Sequence, residues 1–366
     1  MQTFGFITHA LDMNDVVRYE PRATGKRIEL VSKILEWMPA YKQSYITGIR
    51  SQTGEEIEGY FLACPFLPHQ FTELPREQVY KKIIDAGKLA ESFGAKIVGL
   101  GGFTSVVGDA GETIAENLNI AVTSGNSYTI ATALEGAIEA AQAMGIIPEE
   151  SSAAVIGATG SIGRVCAQIL SQKVASLTIT ARSLSRLKNV AEMIFQFSGK
   201  RPKVTTDLHA ALQNADIVIS ASSAGRGIIQ PHFLKPGCVV CDVALPHDCS
   251  REIAEIRQDV LVIEGGLVEV PGNVNFRTNF GYPQGIALAC MAETMILTLE
   301  KRFEHYSLGR RIEPEKVIEI QSLAQKHGFK LAGFRSFNSQ VTKEDIQRIK
   351  ENARISKQEQ KISIGL

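Results

Sequence analysis

Two groups of residues in this chain have the types and spacing to do chemistry. The first is the run Ala154-Val155-Ile156-Gly157-Ala158-Thr159-Gly160-Ser161-Ile162-Gly163, an apolar β-run that breaks into Gly-x-x-Gly-x-x-Gly and then into the helical pattern 164–170. In that strand–turn–helix context, glycines let the backbone approach a pyrophosphate, and the first N–H groups of the helix face its negative charge. Gly157, Thr159, Gly160, Ser161, Ile162 and Gly163 are therefore expected to bind a dinucleotide. The next strand ends Thr180-Ala181-Arg182-Ser183, with Arg186 one turn on. It lacks the acid that would bond ribose hydroxyls, and Arg182, Ser183 and Arg186 suit a 2′-phosphate, which favours NADPH. The second group centres on Cys290, in the first turns of an expected helix after Tyr282-Pro283-Gln284-Gly285. A helix N-terminus can lower a thiol pKa and make the sulfur a nucleophile.

Donor groups for a substrate carbonyl are available in two strand-end loops, Gly101-Gly102-Phe103-Thr104-Ser105 and Thr123-Ser124-Gly125-Asn126-Ser127. Phe103, Thr104, Ser105, Ser124 and Asn126 are the candidates there. His9 and His69 are candidate proton donors, although a lone histidine is more often structural. The remaining cysteines carry no such reading. Cys238 and Cys241 match C-x-x-C but sit in a buried strand whose period of two puts them on opposite faces, so they cannot share a metal. Cys166 reads as packing, and no metal-ligand set is read anywhere.

The elements that must position these groups follow two patterns. Residues 1–150 mix α and β signals: strands at 44–50 and 59–63, a helix at 77–93, short buried strands at 95–100 and 120–122, and a small-residue helix at 128–144. From 153 the order is regular, with strands at 153–156, 177–181, 203–205, 216–221, 238–243 and 260–263 alternating with short helices. That order predicts an α/β chain with a doubly wound parallel sheet of Rossmann type behind an N-terminal α/β substrate domain. The expected divisions are 1–150 for substrate, 151–285 for NADP, and 286–340 for C-terminal helices returning to the first domain. A charged tail, 341–366, is expected to be a loose helix or disordered.

Composition sets bounds on partners. Among 366 residues, 39 basic and 39 acidic side chains cancel, so no global field points to nucleic acid or an anionic membrane. No apolar run approaches the roughly 20 residues of a membrane span, and the N-terminus lacks the pattern of a signal peptide. Six cysteines do not make a disulfide framework, which points to a reducing cytoplasm.

Taken together, these features resemble one family closely, the long-chain acyl-[acyl-carrier-protein] reductases known from cyanobacteria. The resemblance is carried by Phe4-Gly5-Phe6-Ile7-Thr8-His9, by Cys64 with Phe66-Leu67-Pro68, and by Leu100-Gly101-Gly102-Phe103-Thr104-Ser105. It continues through Thr123-Ser124-Gly125-Asn126-Ser127, the glycine turn, Gly265-Gly266, Ala289-Cys290-Met291-Ala292-Glu293-Thr294-Met295 and His327-Gly328-Phe329. It implies NADPH-dependent reduction of a fatty acyl thioester, on acyl carrier protein or coenzyme A, to a fatty aldehyde. It places the family's nucleophile on Cys290, adds Gly265 and Gly266 to the cofactor set, and suggests a fatty-aldehyde-consuming enzyme as a further partner. This chain departs from the family between Pro283 and Cys290, where Gln284-Gly285-Ile286-Ala287-Leu288 replaces a Glu-Arg-Gln run. Three alternatives stand beside this reading. One is a shikimate-dehydrogenase-like oxidoreductase without covalent catalysis, for which Lys96 and Asp109 are available. Another is a glutamyl-tRNA-reductase-like enzyme, and the third a non-catalytic NADP-binding regulatory protein.

Overall fold

A computed structural model describes residues 1–222, 224, 227–244, 247–337 and 339–364. The chain forms two compact units, each built from several stretches of sequence. The first comprises Met1–Tyr128, Val268–Arg311 and Glu319–Lys330, and the second Thr129–Leu267, Ile312–Ile318 and Leu331–Leu366. These units do not follow the continuous ranges read from the sequence. Helix Asn126–Ala143 begins in the first unit and runs on into the second, and the segment from Val268 to Arg311 belongs to the first.

The first unit is organised on strands β1 (Gln2–Thr8), β2 (Tyr41–Arg50), β3 (Glu56–Ala63), β4 (Ile97–Leu100) and β5 (Ala121–Thr123). With Gly272–Asn275 they form one sheet in the order 272–275, β2, β3, β1, β4, β5. β1 is parallel to β3 and β4, and β4 to β5, while β2 runs antiparallel to β3. β4 is buried along its whole length, as a parallel strand covered on both faces must be. One face is covered by helix Arg76–Ser92, whose Val79, Ile83, Ala86 and Ala90 are buried. Gly5 on β1 permits the approach, since a Cβ there would lie 2.7 Å from that of Ala90. Helix Ala289–Leu299 packs against β1, β3 and β4, and every residue from Met291 to Leu299 is buried. A helix apolar nearly all round is a core helix.

From the sequence alone, this helix is expected to start at Ile286. Instead Ile286–Leu288 is a short strand entered through Gly285, whose φ is +85°, and the helix begins at Ala289. Cys290 is therefore the second helical residue.

The second unit carries the strands β6 (Ser152–Ile156), β7 (Ser176–Thr180), β8 (Lys203–Thr205), β9 (Ile217–Ser220), β10 (Val239–Asp242) and β11 (Leu261–Glu264). Their spatial order is β8-β7-β6-β9-β10-β11, and every pair is parallel. This is the doubly wound order with its switch point between β6 and β9, where such sheets bind ligands beyond the carboxyl ends of the strands. The tail is ordered: Lys343–Ile364 is a helix that buries Ile346 and Ala353 and donates from Asn352 Nδ2 to the Gln258 carbonyl at 3.0 Å. No helix among the described residues is long and apolar enough to cross a membrane.

Candidate functional site

In the second unit, β6 ends in the glycine turn at the switch point. Gly157 has φ +73°, and a Cβ there would lie 2.5 Å from the Ala221 carbonyl oxygen at the end of β9. Gly163, one turn into helix Ser161–Lys173, could carry no Cβ either, because it would meet the Gly157 oxygen at 2.4 Å. The two glycines thus let turn, helix and β9 close together, which leaves the backbone bare where phosphates would lie. Gly160 is exposed at the N-cap, and no side chain caps the helix. The first-turn amides around Ser161 and Ile162 therefore remain available to an anion. This cradle fits the pyrophosphate of a nicotinamide dinucleotide.

The neighbouring β7 ends at Thr180 with no acidic residue following it, and Arg182 and Arg186 are both exposed. Ser183 has a structural duty: it caps helix Leu184–Ser198, its Oγ accepting from Arg186 N at 3.4 Å. Gly265 and Gly266 follow β11 at the same carboxyl edge of the sheet, where a Cβ on Gly265 would meet Cys241 Sγ at 3.1 Å. Cys238 and Cys241 are both buried, and only Cys238 belongs to the core cluster with Ile253 and Val262. Their different surroundings agree with opposite faces of one strand.

In the first unit, Cys290 is half-buried, while the other five cysteines are buried outright. The loop after β5 lies directly against it. Gly125 has φ +75°, and a Cβ there would stand 2.3 Å from both Cα and Cβ of Cys290. The loop is clamped by Glu293, one turn further along the helix and fully buried. Its carboxylate accepts from Thr123 Oγ1 and from Tyr128 N at 2.7 Å, with further bonds from Ser307 and the Gly125 amide. Ser307 extends the network: its Oγ lies 2.7 Å from Ser127 Oγ, and its carbonyl accepts from Ser124 Oγ. The sequence alone assigns Glu293 no role. An acid inside an otherwise apolar helix was the available signal, since such a group must be hydrogen-bonded when buried.

Around the thiol, burial opposes the helix-start effect. Burial, with the Glu293 carboxylate adding to it, pushes Cys290 up to about 12. The N–H groups of Met291 and Cys290 itself pull the other way, as a helix start should, but desolvation outweighs them. Burial likewise raises the Glu293 carboxyl.

The other loop is arranged differently from expectation. Thr104 and Ser105 are buried, and their hydroxyls donate to the carbonyls of Gly101 and Gly102, each at 2.8 Å, so they hold their own turn. Phe103 is half-buried and stacks on Phe71. Its amide donates to His9 Nε2 at 2.9 Å, while His9 Nδ1 lies 2.9 Å from the Ala10 carbonyl. Burial lowers the His9 pKa, and the neutral ring is fully committed, so it is a brace for this loop rather than a proton donor. His69 bonds Ser32 Oγ at 3.2 Å. Of the five donor-loop residues, Ser124 and Asn126 flank Gly125 beside the thiol and are both buried. Lys96 and Asp109, the pair a shikimate-dehydrogenase mechanism would need, stand beyond opposite ends of β4.

Comparison with known proteins adds the following. The shikimate / quinate 5-dehydrogenase family matches residues 139–264, which span all six strands of the dinucleotide sheet. The chain is 30% identical over 303 residues to the long-chain acyl-[acyl-carrier-protein] reductase of Synechococcus elongatus, covering 77% of this chain and 84% of that protein. It is 33% identical over 307 residues to the aminotransferase PigE of a Serratia species, and this chain spans only about a third (36%) of PigE. Among solved structures, quinate dehydrogenase from Corynebacterium glutamicum in complex with NAD aligns over 71% of this chain and 87% of its own, with TM-score 0.36 and 14% identity.

Proposed function

Because the chain belongs to the family of the long-chain acyl-[acyl-carrier-protein] reductases, we propose that it reduces a fatty acyl thioester to the aldehyde through an acyl-enzyme on Cys290, with NADPH as reductant. One observation carries this reading. The one cysteine that is not fully buried stands at a helix start, against a loop held by a buried carboxylate, in a chain that also carries a dinucleotide cradle.

In the proposed reaction, Cys290 Sγ gives up its proton and attacks the thioester carbonyl. The tetrahedral oxyanion collapses, the carrier leaves as a thiolate that takes up a proton, and the acyl group stays on sulfur. The amides of Cys290 and Met291, in the first turn of helix Ala289–Leu299, bond the sulfur and would face the developing oxyanion. NADPH, when bound, supplies the hydride that takes the acyl carbon to the aldehyde level. Cys290 then leaves as a thiolate stabilised by the same amides, and the aldehyde is released. Arg182 and Arg186 would hold the 2′-phosphate, and Gly157, Gly160 and Gly163 the pyrophosphate. Acyl carrier protein or coenzyme A delivers the acyl group, and an aldehyde-consuming enzyme would take the product onward.

The test is mass spectrometry of the protein mixed with a long-chain acyl thioester in the absence of NADPH. We expect an acyl adduct on Cys290 that is released as aldehyde on adding NADPH, and no adduct or turnover in Cys290→Ala, which still binds NADPH. Turnover by Cys290→Ala would sink the covalent mechanism and favour direct hydride transfer of the shikimate-dehydrogenase kind.

A further inference from the structure

We propose that the first unit carries an anionic subsite near the thiol, a groove that takes the phosphate of the carrier's phosphopantetheine arm; this assignment rests on the thioester reading above. The groove is a cavity of about 620 Å³ whose wall includes Arg76, Tyr80, Asp109, Glu112, Arg310 and Arg311. Arg76 opens helix Arg76–Ser92, Tyr80 lies one turn along it, and Arg310 and Arg311 follow Ser307 in the chain. All three guanidiniums are exposed, and no ion pair among the described residues engages them. Arg310 donates to the Gly108 carbonyl at 3.1 Å. Three forked cations against two carboxylates leave a positive site, and planar guanidiniums match a phosphate's oxygens in pairs.

A second feature fits the rest of the arm. Asp109 Oδ2 accepts from Thr113 N at 3.1 Å and from Thr113 Oγ1, but its Oδ1 is buried with no partner. A buried acceptor left unmade is costly, and an amide N–H of a ligand seated in the groove would satisfy it once the side chain turns toward the groove. Pantetheine carries amide N–H groups between its phosphate and its sulfur. The fold also brings the groove wall and the thiol onto one set of neighbouring residues. Leu308 lines the groove next to Ser307, which bonds Ser124 and Ser127 on either side of Gly125, and Gly125 lies on Cys290.

Phosphopantetheine is common to coenzyme A and acyl carrier protein, so the experiment compares the arm with and without its phosphate. Calorimetry on the full chain should show phosphopantetheine binding at least about tenfold more tightly than pantetheine, as a charge-assisted contact predicts. The double variant Arg76→Gln with Arg311→Gln, both on exposed side chains, should lose that difference. Coenzyme A binding much more tightly than phosphopantetheine would name coenzyme A as the source, and equal binding would name the carrier protein. Equal affinity for pantetheine and phosphopantetheine in the unmodified chain, or a preference that survives in the double variant, overturns the subsite. Failure of any acyl thioester to label Cys290 would instead overturn the functional reading, and the calorimetric comparison stands or falls without it.

Discussion

Burial holds the Cys290 thiol neutral, and this has a measurable consequence. A thiol raised to about 12 gains thiolate tenfold per pH unit across the whole neutral and alkaline range. Alkylation of Cys290 by iodoacetamide should therefore climb without levelling off up to about pH 10, where an ordinary thiol near 8.5 has already reached its plateau. A plateau near pH 7 would mean that the helix start wins over burial. The arginine at the end of β7 makes a separate prediction. Arg182→Ala should weaken NADPH binding at least about tenfold, the worth of a charge-assisted contact, and leave NADH binding little changed. Equal losses in titrations with both would remove the case for the 2′-phosphate. At this scale the sequence was partly legible. The glycine turn and Cys290 could be found because their residue types sit in a recognisable local context. The duties of His9, Thr104 and Ser105 could not, because each depends on partners brought in by the turn itself or from another strand. Hydroxyls in a strand-end loop look alike whether they face a substrate or, as here, their own carbonyls.

At the scale of elements, the helix that bears the thiol and the loop after β5 form one part. Gly125 can be nothing larger, since its φ is +75° and a Cβ would overlap the Cys290 backbone. Gly125→Ala should lower stability by about 3 kcal/mol, combining left-handed strain with overpacking, and should displace the thiol as well. Thermal unfolding together with Cys290 alkylation rates checks both, and an alanine variant with unaltered melting and labelling would show that the loop can yield. The alternating strands and helices of the second unit were readable because period and turn residues agree at each step. The start of the thiol-bearing helix was misplaced because Ile286-Ala287-Leu288 is apolar and continuous with it, and helix and strand share that signature over three residues. The tail was misread for the converse reason. Among the described residues its buried stripe is reduced to Ile346 and Ala353, too narrow to stand out from the surrounding Lys, Glu and Gln.

For the whole molecule, the essential fact is that neither unit is a single stretch of chain. The second unit, which holds the dinucleotide cradle, is completed by residues beyond 330. A chain ending at Thr342 would uncover the surface now covered by Ile346 and Ala353, at a cost of about 3 kcal/mol in lost apolar burial. It should melt at lower temperature than the full chain both with and without NADPH. Unchanged melting would make the last helix dispensable. The same interleaving governs how the protein is made. The sheet of the first unit is synthesised by Thr123, but the edge strand Gly272–Asn275 and the core helix Ala289–Leu299 that cover it come much later. At ribosomal speeds the wait is on the order of 10 s, long enough for an uncovered apolar face and an unpaired strand edge to meet other nascent chains. This half of the molecule thus waits longest for the elements that cover it, whereas all six strands of the glycine-turn sheet emerge within residues 152–264.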